Sequence, residues 1–285
     1  MDSLSAAQKA PLQEVALLMH EIYLVLARMR YLDYSSIHPG PHDLSQLVPT
    51  ISSFDLDPRI LYLYSILPYV TAPDGRRDFF QGSGFADFRI LSDVQQGRNP
   101  FFGDDEKIRP WMTPLCNIGN HDSLIFYNAR THRIAIIDSE SGHTRDHVLI
   151  EVNEPRRMWE TRRQRVIERF YRLGQGGEEY ESDLAREIGP EPRARHPDEV
   201  PFEDQEHWEP ACDTNEYDTF PSRPAGHVLR DIVRWHYELR EVPCGEHSDM
   251  EWYPEYSIPL YRGHGWPGPN FNSEAFVREM EDMDI

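Results

Sequence analysis

Asn120, His121, Asp122 and Ser123 place an amide, a base, a carboxylate and a hydroxyl side by side, between a Pro110-Trp111 loop and an apolar run. A Ser–His–Asp site needs those groups to converge in space beside an oxyanion hole, usually from separate segments. Neighbours on an extended chain point to opposite sides, so adjacency argues against a triad. The chain also has no Gly-x-Ser-x-Gly elbow. The local chemistry fits a turn in which Asn120 or Asp122 bonds its own backbone before a strand begins.

Three further groups invite a chemical reading. His143 and His147 stand four apart with Asp138, Glu140 and Asp146 nearby. On one helix face two such histidines could share a zinc ion, but Ser141-Gly142 signals a turn and no His-Glu-x-x-His frame is present, so no metal is expected. Gly82-Ser83-Gly84 lacks both the third glycine of a dinucleotide loop and the Gly-Lys of a phosphate loop, and reads as a turn. Seven arginines between Arg156 and Arg172 could engage phosphates. Glu154, Glu160 and Glu168 are interspersed among them, and an acidic stretch follows, so internal pairing is the favoured reading.

Composition narrows the classes. The chain has 285 residues and a formal net charge of −20, which argues against general binding to nucleic acid or an anionic membrane. Lysine is nearly absent, with only Lys9 and Lys107 against 27 arginines. Cys116, Cys212 and Cys244 are odd in number, far apart and without a Cys-x-x-Cys pair, which favours a reducing compartment over a disulfide framework. Leu12 to Leu32 is apolar but interrupted by Glu14, His20, Glu21, Arg28 and Arg30, and no signal-peptide pattern precedes it. The expected location is cytoplasmic or nuclear, not secreted.

The elements that must position these groups follow from periodicity. Val15, Leu18, Ile22, Leu26 and Met29 predict a helix over Leu12–Leu32, with Leu17, Tyr23, Leu24 and Val25 widening its buried stripe and His38-Pro39-Gly40-Pro41-His42 stopping it. Asp57-Pro58 opens a second helix with Ile60, Leu61, Tyr64 and Leu67 inward. Phe79 to Leu91 fits no clean period. Ser123–Asn128 and Arg133–Asp138 predict a β-hairpin whose first strand, with Leu124 to Tyr127 in succession, is buried on both faces. Trp159, Val166, Phe170 and Leu173 mark a helix after Pro155, Val228 to Leu239 another, and Phe276, Val277 and Met280 a short terminal one. Residues 174–220 carry 15 acidic groups against three arginines and scattered prolines; such a composition predicts a disordered acidic insertion. Trp252, Tyr253, Tyr256, Tyr261 and Trp266 belong to an aromatic loop that either lines a groove or covers a core edge.

From Leu44 to Ile150 the chain resembles the SUKH superfamily, which includes fungal cell-wall-synthesis regulators and bacterial toxin-immunity proteins. The residues that carry the likeness are Leu67-Pro68, Gly82 and Gly84, Pro110-Trp111 with Pro114, Ile118-Gly119, and the strand–turn–strand unit ending at Asp138. The whole chain is also similar to uncharacterised proteins of filamentous fungi. The likeness implies an α+β fold, a mostly antiparallel sheet with helices packed on one side, for a core at 44–150; the N-terminal helix, the acidic insertion, and the C-terminal helix and aromatic loop are additions that depart from the family pattern. It also implies a protein-binding module with no catalytic set and no cofactor.

Two functions are therefore expected in order. The first is a protein-interaction module, adaptor or regulator, working in a single α+β domain through Trp111, Asn120, His121 and Asp122. The second is a small-molecule enzyme or ligand-binding accessory protein of a fungal metabolic pathway, with His121 as acid/base and the aromatic loop as lid.

Overall fold

The computed structural model describes residues 4–51, 54, 56–71, 78–99, 108–117, 123–172, 186, 188–190, 200–201, 220–243 and 254–282. They fall into two compact units, Thr144–Glu199 and the rest of the chain.

In the larger unit, helix α1 (Ala6–Arg28) opens with a capping box. Ser5 Oγ accepts from the Gln8 amide at 3.3 Å, and Gln8 Oε1 accepts from the Ser5 amide at 2.9 Å. The predicted stripe from Val15 to Met29 is buried, and so are Tyr23 and Val25. Leu17 and Leu24 are not: they are 69% and 40% exposed and, seven residues apart, lie on one outward face. The helix also ends sooner than its prolines suggested. Arg30 takes a left-handed φ of 68°, and the Tyr31 amide turns back to the Leu26 carbonyl. By length and composition alone α1 could cross a membrane, yet 56% of its most apolar window is buried within the protein. Packing against two other helices accounts for that apolarity.

The His38–His42 run serves a different purpose. Strand β1 (Ile37–His38) pairs antiparallel with β2 (Tyr69–Val70). Between them lie the short α2 (Val48–Ile51) and α3 (Pro58–Ile66), which starts where Asp57 Oδ1 accepts the Arg59 amide at 2.8 Å. Ile60, Leu63 and Tyr64 of α3 are fully buried, and α3 packs on α1. The region from Phe79 to Leu91 resolves into β3 (Asp78–Phe80), a turn with positive φ at Gln81 and Gly82, and β4 (Ser83–Gly84). Helix α4 (Leu91–Arg98) follows.

The main sheet is antiparallel: β5 (Met112–Pro114), β6 (Ser123–Asn128), β7 (Arg133–Asp138), β9 (Pro221–Pro224) and β8 (Val200–Pro201), in that spatial order. The predicted hairpin is present with its full register, Ser123 opposite Asp138 through Asn128 opposite Arg133. All six β6 residues are buried, which explains why the run does not alternate. On one face Thr113 Oγ1 meets the Tyr64 hydroxyl of α3 at 2.7 Å; on the other Phe126 stacks on Phe220.

Helix α6 (Ala225–Glu238) lays Val228, Leu229, Ile232 and Trp235 into the core against α1, β7 and β9. Each such aliphatic side chain contributes roughly 1.5–3 kcal/mol of burial. The buried Arg223 of β9 pairs with Asp231 of α6 at 3.0 Å, fixing helix to strand. Helices α7 (Pro254–Gly263) and α8 (Ser273–Asp282) close the chain. Aromatic residues of these helices, of the turn between them and of α6 form a packed set in which Tyr261 stacks on Phe276 at 4.3 Å and Trp266 on Tyr237 at 5.7 Å. The fold is α+β, with helices packed on antiparallel sheets.

In the smaller unit, α5 (His147–Arg172) begins eight residues before Pro155 and continues through it. Trp159, Val166 and Ile167 pack with Ile188, and the Trp159 indole donates to the Gly189 carbonyl at 3.1 Å. Arg157, Arg162, Arg163, Arg165 and Arg169 are exposed, and Arg157 lies 3.5 Å from Glu154. Most of the acidic stretch 174–220 lies outside the described residues.

Candidate functional site

Trp111 stands in a turn held from three sides. Arg98 of α4, 5% exposed, donates through Nη1 to the carbonyls of Arg109 at 3.0 Å and Met112 at 3.2 Å, and through Nη2 to that of Ile108. The Asp57 amide donates to the Pro110 carbonyl at 3.0 Å, and the Ala129 amide to the Trp111 carbonyl at 2.8 Å. A guanidinium suits this task because its planar fork can satisfy several carbonyls at once.

The facing turn between β6 and β7 is equally constrained. Asn128 Oδ1 accepts from the amides of Arg130 at 2.9 Å and Thr131 at 3.2 Å. His132 takes φ 55°, and its Nδ1 lies 2.7 Å from the Tyr127 hydroxyl. Burial raises the pKa of that phenol. From this turn the Arg130 guanidinium is set 3.4 Å from the Trp111 ring centroid, a close cation–π stack. Both residues are half-buried, so the stack forms part of the surface. Behind it the Tyr64 hydroxyl is pushed up to about 12 by burial, against the lowering effect of its bond to Thr113.

Of the four residues expected to work together, Trp111 is described; Asn120, His121 and Asp122 lie outside the described residues. Ser123, next in sequence, is at the far end of β6 from the Trp111 turn, roughly 17 Å away at about 3.4 Å per strand residue. Proximity along the sequence is therefore not proximity along the sheet edge.

Around Ser123 the fold assembles a partly buried polar chain. Ser123 Oγ donates to Gln81 Oε1 at 2.8 Å, and Gln81 Nε2 donates to Glu241 Oε1. The Ser123 amide reaches the Gln81 carbonyl at 3.2 Å, and Asn117 exchanges backbone bonds with Gly84. Cys116, also buried, accepts the Ile125 amide at 3.4 Å. Beyond Glu241 lies His236, 1% exposed, whose Nδ1 is 3.2 Å from the Glu241 carbonyl. Burial pushes this imidazole down to about 4, outweighing the raising influence of the Glu241 charge and backbone bond.

No sequence pattern points to Gln81, Glu241, His236 or the Arg98 clamp, because their partners lie from five to 160 residues away and follow no period. Arg130 carried one faint signal, its position in a hairpin turn flanked by a polar Asn128. The Asp138 carboxylate proves structural: Oδ1 takes the Glu140 and Ser141 amides and the Ser141 hydroxyl. Asp146 likewise accepts the Val148 amide at the start of α5. His143 precedes the helix and His147 opens it, so the two do not share a helical face. Among the described residues no three His, Cys, Asp or Glu side chains converge as a metal ion would require. Tyr261 and Trp266 of the aromatic loop are in the core: the Tyr261 hydroxyl bonds the Met29 carbonyl at 2.8 Å and the Trp266 indole the His236 carbonyl at 3.2 Å. Trp252 and Tyr253 lie outside the described residues. The chain matches no protein-family model, no curated protein and no solved structure.

Proposed function

We propose that this chain is a protein-interaction module, an adaptor or regulator with no catalytic activity of its own, and that it meets its partner through Trp111 and Arg130. The observation that carries the reading is the stacked pair itself: a rigid indole under a guanidinium, at the surface, on a turn fixed by Arg98. Trp and Arg dominate binding hot spots because they give large contact area with directional polar groups. Fixing them before binding lowers the ordering cost. The likeness to SUKH proteins in the sequence points the same way.

The test is proximity labelling in cells with ligase fusions of the wild-type chain and a Trp111→Ala, Arg130→Ala double variant whose thermal unfolding is checked in parallel. Proteins labelled by the wild type and lost from a folded double variant support the reading. An unchanged labelled set refutes the surface assignment. A thermal shift of the purified chain with one class of metabolite would instead favour the ligand-binding alternative.

A further inference from the structure

Leu17, the more exposed of the two leucines that α1 turns outward, lines a concavity among the described residues. It is an open groove of about 380 Å³ between α1 and the segment around Gly40, with walls from Leu17, Pro39, Pro41, Ile66 and Pro68. Gln13 and His20 supply its polar groups, and no residue lining it carries a carboxylate, an ammonium or a guanidinium. The Gln13 amide is directed to the Tyr62 hydroxyl at 3.1 Å.

The far wall is fixed in place. A methyl group on Gly40 would come within 2.6 Å of the Ile66 carbonyl oxygen and 2.7 Å of Ile66 Cα, so glycine is what lets the two backbone segments touch. His42 Nε2 bonds the Leu67 carbonyl at 2.9 Å and holds the next residues together. Proline walls add stiffness and have no amide hydrogen to satisfy. An occupant therefore finds an apolar slot already shaped.

Charge at the rim indicates what that occupant must be. Glu21 follows His20 on α1 and is exposed, and Asp43, two residues past Pro41, is exposed as well. Burial plays little part at Asp43; the Ser45 amide at 2.9 Å lowers its pKa and keeps it ionised. The one nearby lysine, Lys9, is laid over the Tyr62 ring at 5.2 Å. Arg89, whose charge acts on His42, is held by Asp87 at 2.6 Å, which leaves Glu21 and Asp43 as the exposed charges next in sequence to the lining residues His20 and Pro41. We infer that the groove beside α1 is a docking site for a basic peptide segment of a protein partner, anchored by one or two leucine-sized side chains and flanked by Lys or Arg. The apolar anchors fill the slot, and the flanking cations meet Glu21 and Asp43. This site is separate from the Trp111–Arg130 surface and stands without it.

The full chain is titrated against two fluorescein-labelled octapeptides with leucines at positions 3 and 6, one carrying lysine elsewhere and one glutamate. Binding is read by anisotropy and located by methyl NMR. The lysine peptide is expected to bind at least tenfold more tightly than its glutamate counterpart, to shift the Leu17 and Ile66 methyls, and to weaken as salt is raised. Leu17→Asp, at a site exposed enough to leave folding intact, is expected to weaken it at least tenfold, and Glu21→Lys with Asp43→Lys to abolish the preference between peptides. Equal binding of the two peptides, affinity unchanged within twofold in Leu17→Asp, or shifts confined to other methyls would overturn the inference. So would failure of the peptide alongside methyl shifts with a neutral probe such as indole, which would make the groove a small-molecule site.

Discussion

Acidification should weaken this fold through His236, and the size of the effect follows from its burial. The imidazole is 1% exposed and sits between the Glu241 carbonyl and the core side of α6. Its pKa in the folded protein is about 4, against about 6.5 when unfolded. Above pH 6.5 the side chain is neutral in both states and costs nothing. As pH falls from 6.5 towards 4 the unfolded chain takes up a proton that the native state refuses, so stability is lost across that window. Two and a half pH units correspond to about 3 kcal/mol once the pH is below 4, and about 2 kcal/mol of that is lost by pH 5. Urea denaturation followed by tryptophan fluorescence at pH 7.5 and pH 5 measures the loss. His236→Gln retains an amide donor for the Glu241 carbonyl and cannot titrate. Its stability should change between the two pH values by about 2 kcal/mol less than that of the wild type. Other titrating groups, including His42, whose pKa is also lowered chiefly by burial, cancel in that comparison. Identical pH dependence in wild type and variant would refute the argument.

Other substitutions test the elements that hold the surface in place. Arg98→Lys leaves buried carbonyls at Ile108, Arg109 and Met112 that one ammonium cannot satisfy together; a loss of roughly 2–3 kcal/mol in urea midpoint analysis is expected. Tyr64→Phe removes the bond to Thr113, but the Thr113 hydroxyl still reaches the Pro114 carbonyl at 3.0 Å, so calorimetry should show a loss of only about 1 kcal/mol. Phe276→Ala empties the centre of the C-terminal aromatic set around Tyr261 and Phe271. The same denaturation assay should register about 3–4 kcal/mol, and a loss below about 1 kcal/mol would mean that α8 is not part of the cooperative core.

How much of this was legible varied with the range of the interaction. The β6–β7 hairpin was readable to the residue, because two apolar runs four residues apart leave one register that buries both. The α3 start was readable because Asp57 and Pro58 act on the first turn alone. The end of α1 is not legible: prolines at 39 and 41 mark where a helix cannot continue, whereas the chain already turns at Arg30. Helix α7 leaves no clear sequence signal because Pro259 lies inside it, and α5 starts eight residues ahead of the boundary that Pro155 suggests. Of the candidate site, Trp111 was found by residue type and its setting in a Pro-Trp turn. Its partner Arg130 was not, since a 19-residue separation leaves no periodic trace.

The sequence by itself determined the α+β class, the acidic balance, the hairpin and the inward stripe of α1, because each depends on composition or on contacts a few residues apart. Only the tertiary structure decided which side chains meet. Leu17 and Leu24 have the hydropathy of core residues, and they face outward because α3 and α6 cover the other side of α1. Arg98 reads as an ordinary surface arginine until its fork is seen closing on three carbonyls. Glu241 and His236 acquire their buried setting from Gln81, Ser123 and Trp266, which arrive from distant parts of the chain. Local propensity is encoded within a few residues, whereas burial and polar pairing depend on which elements pack together, and that is fixed only when the whole core closes.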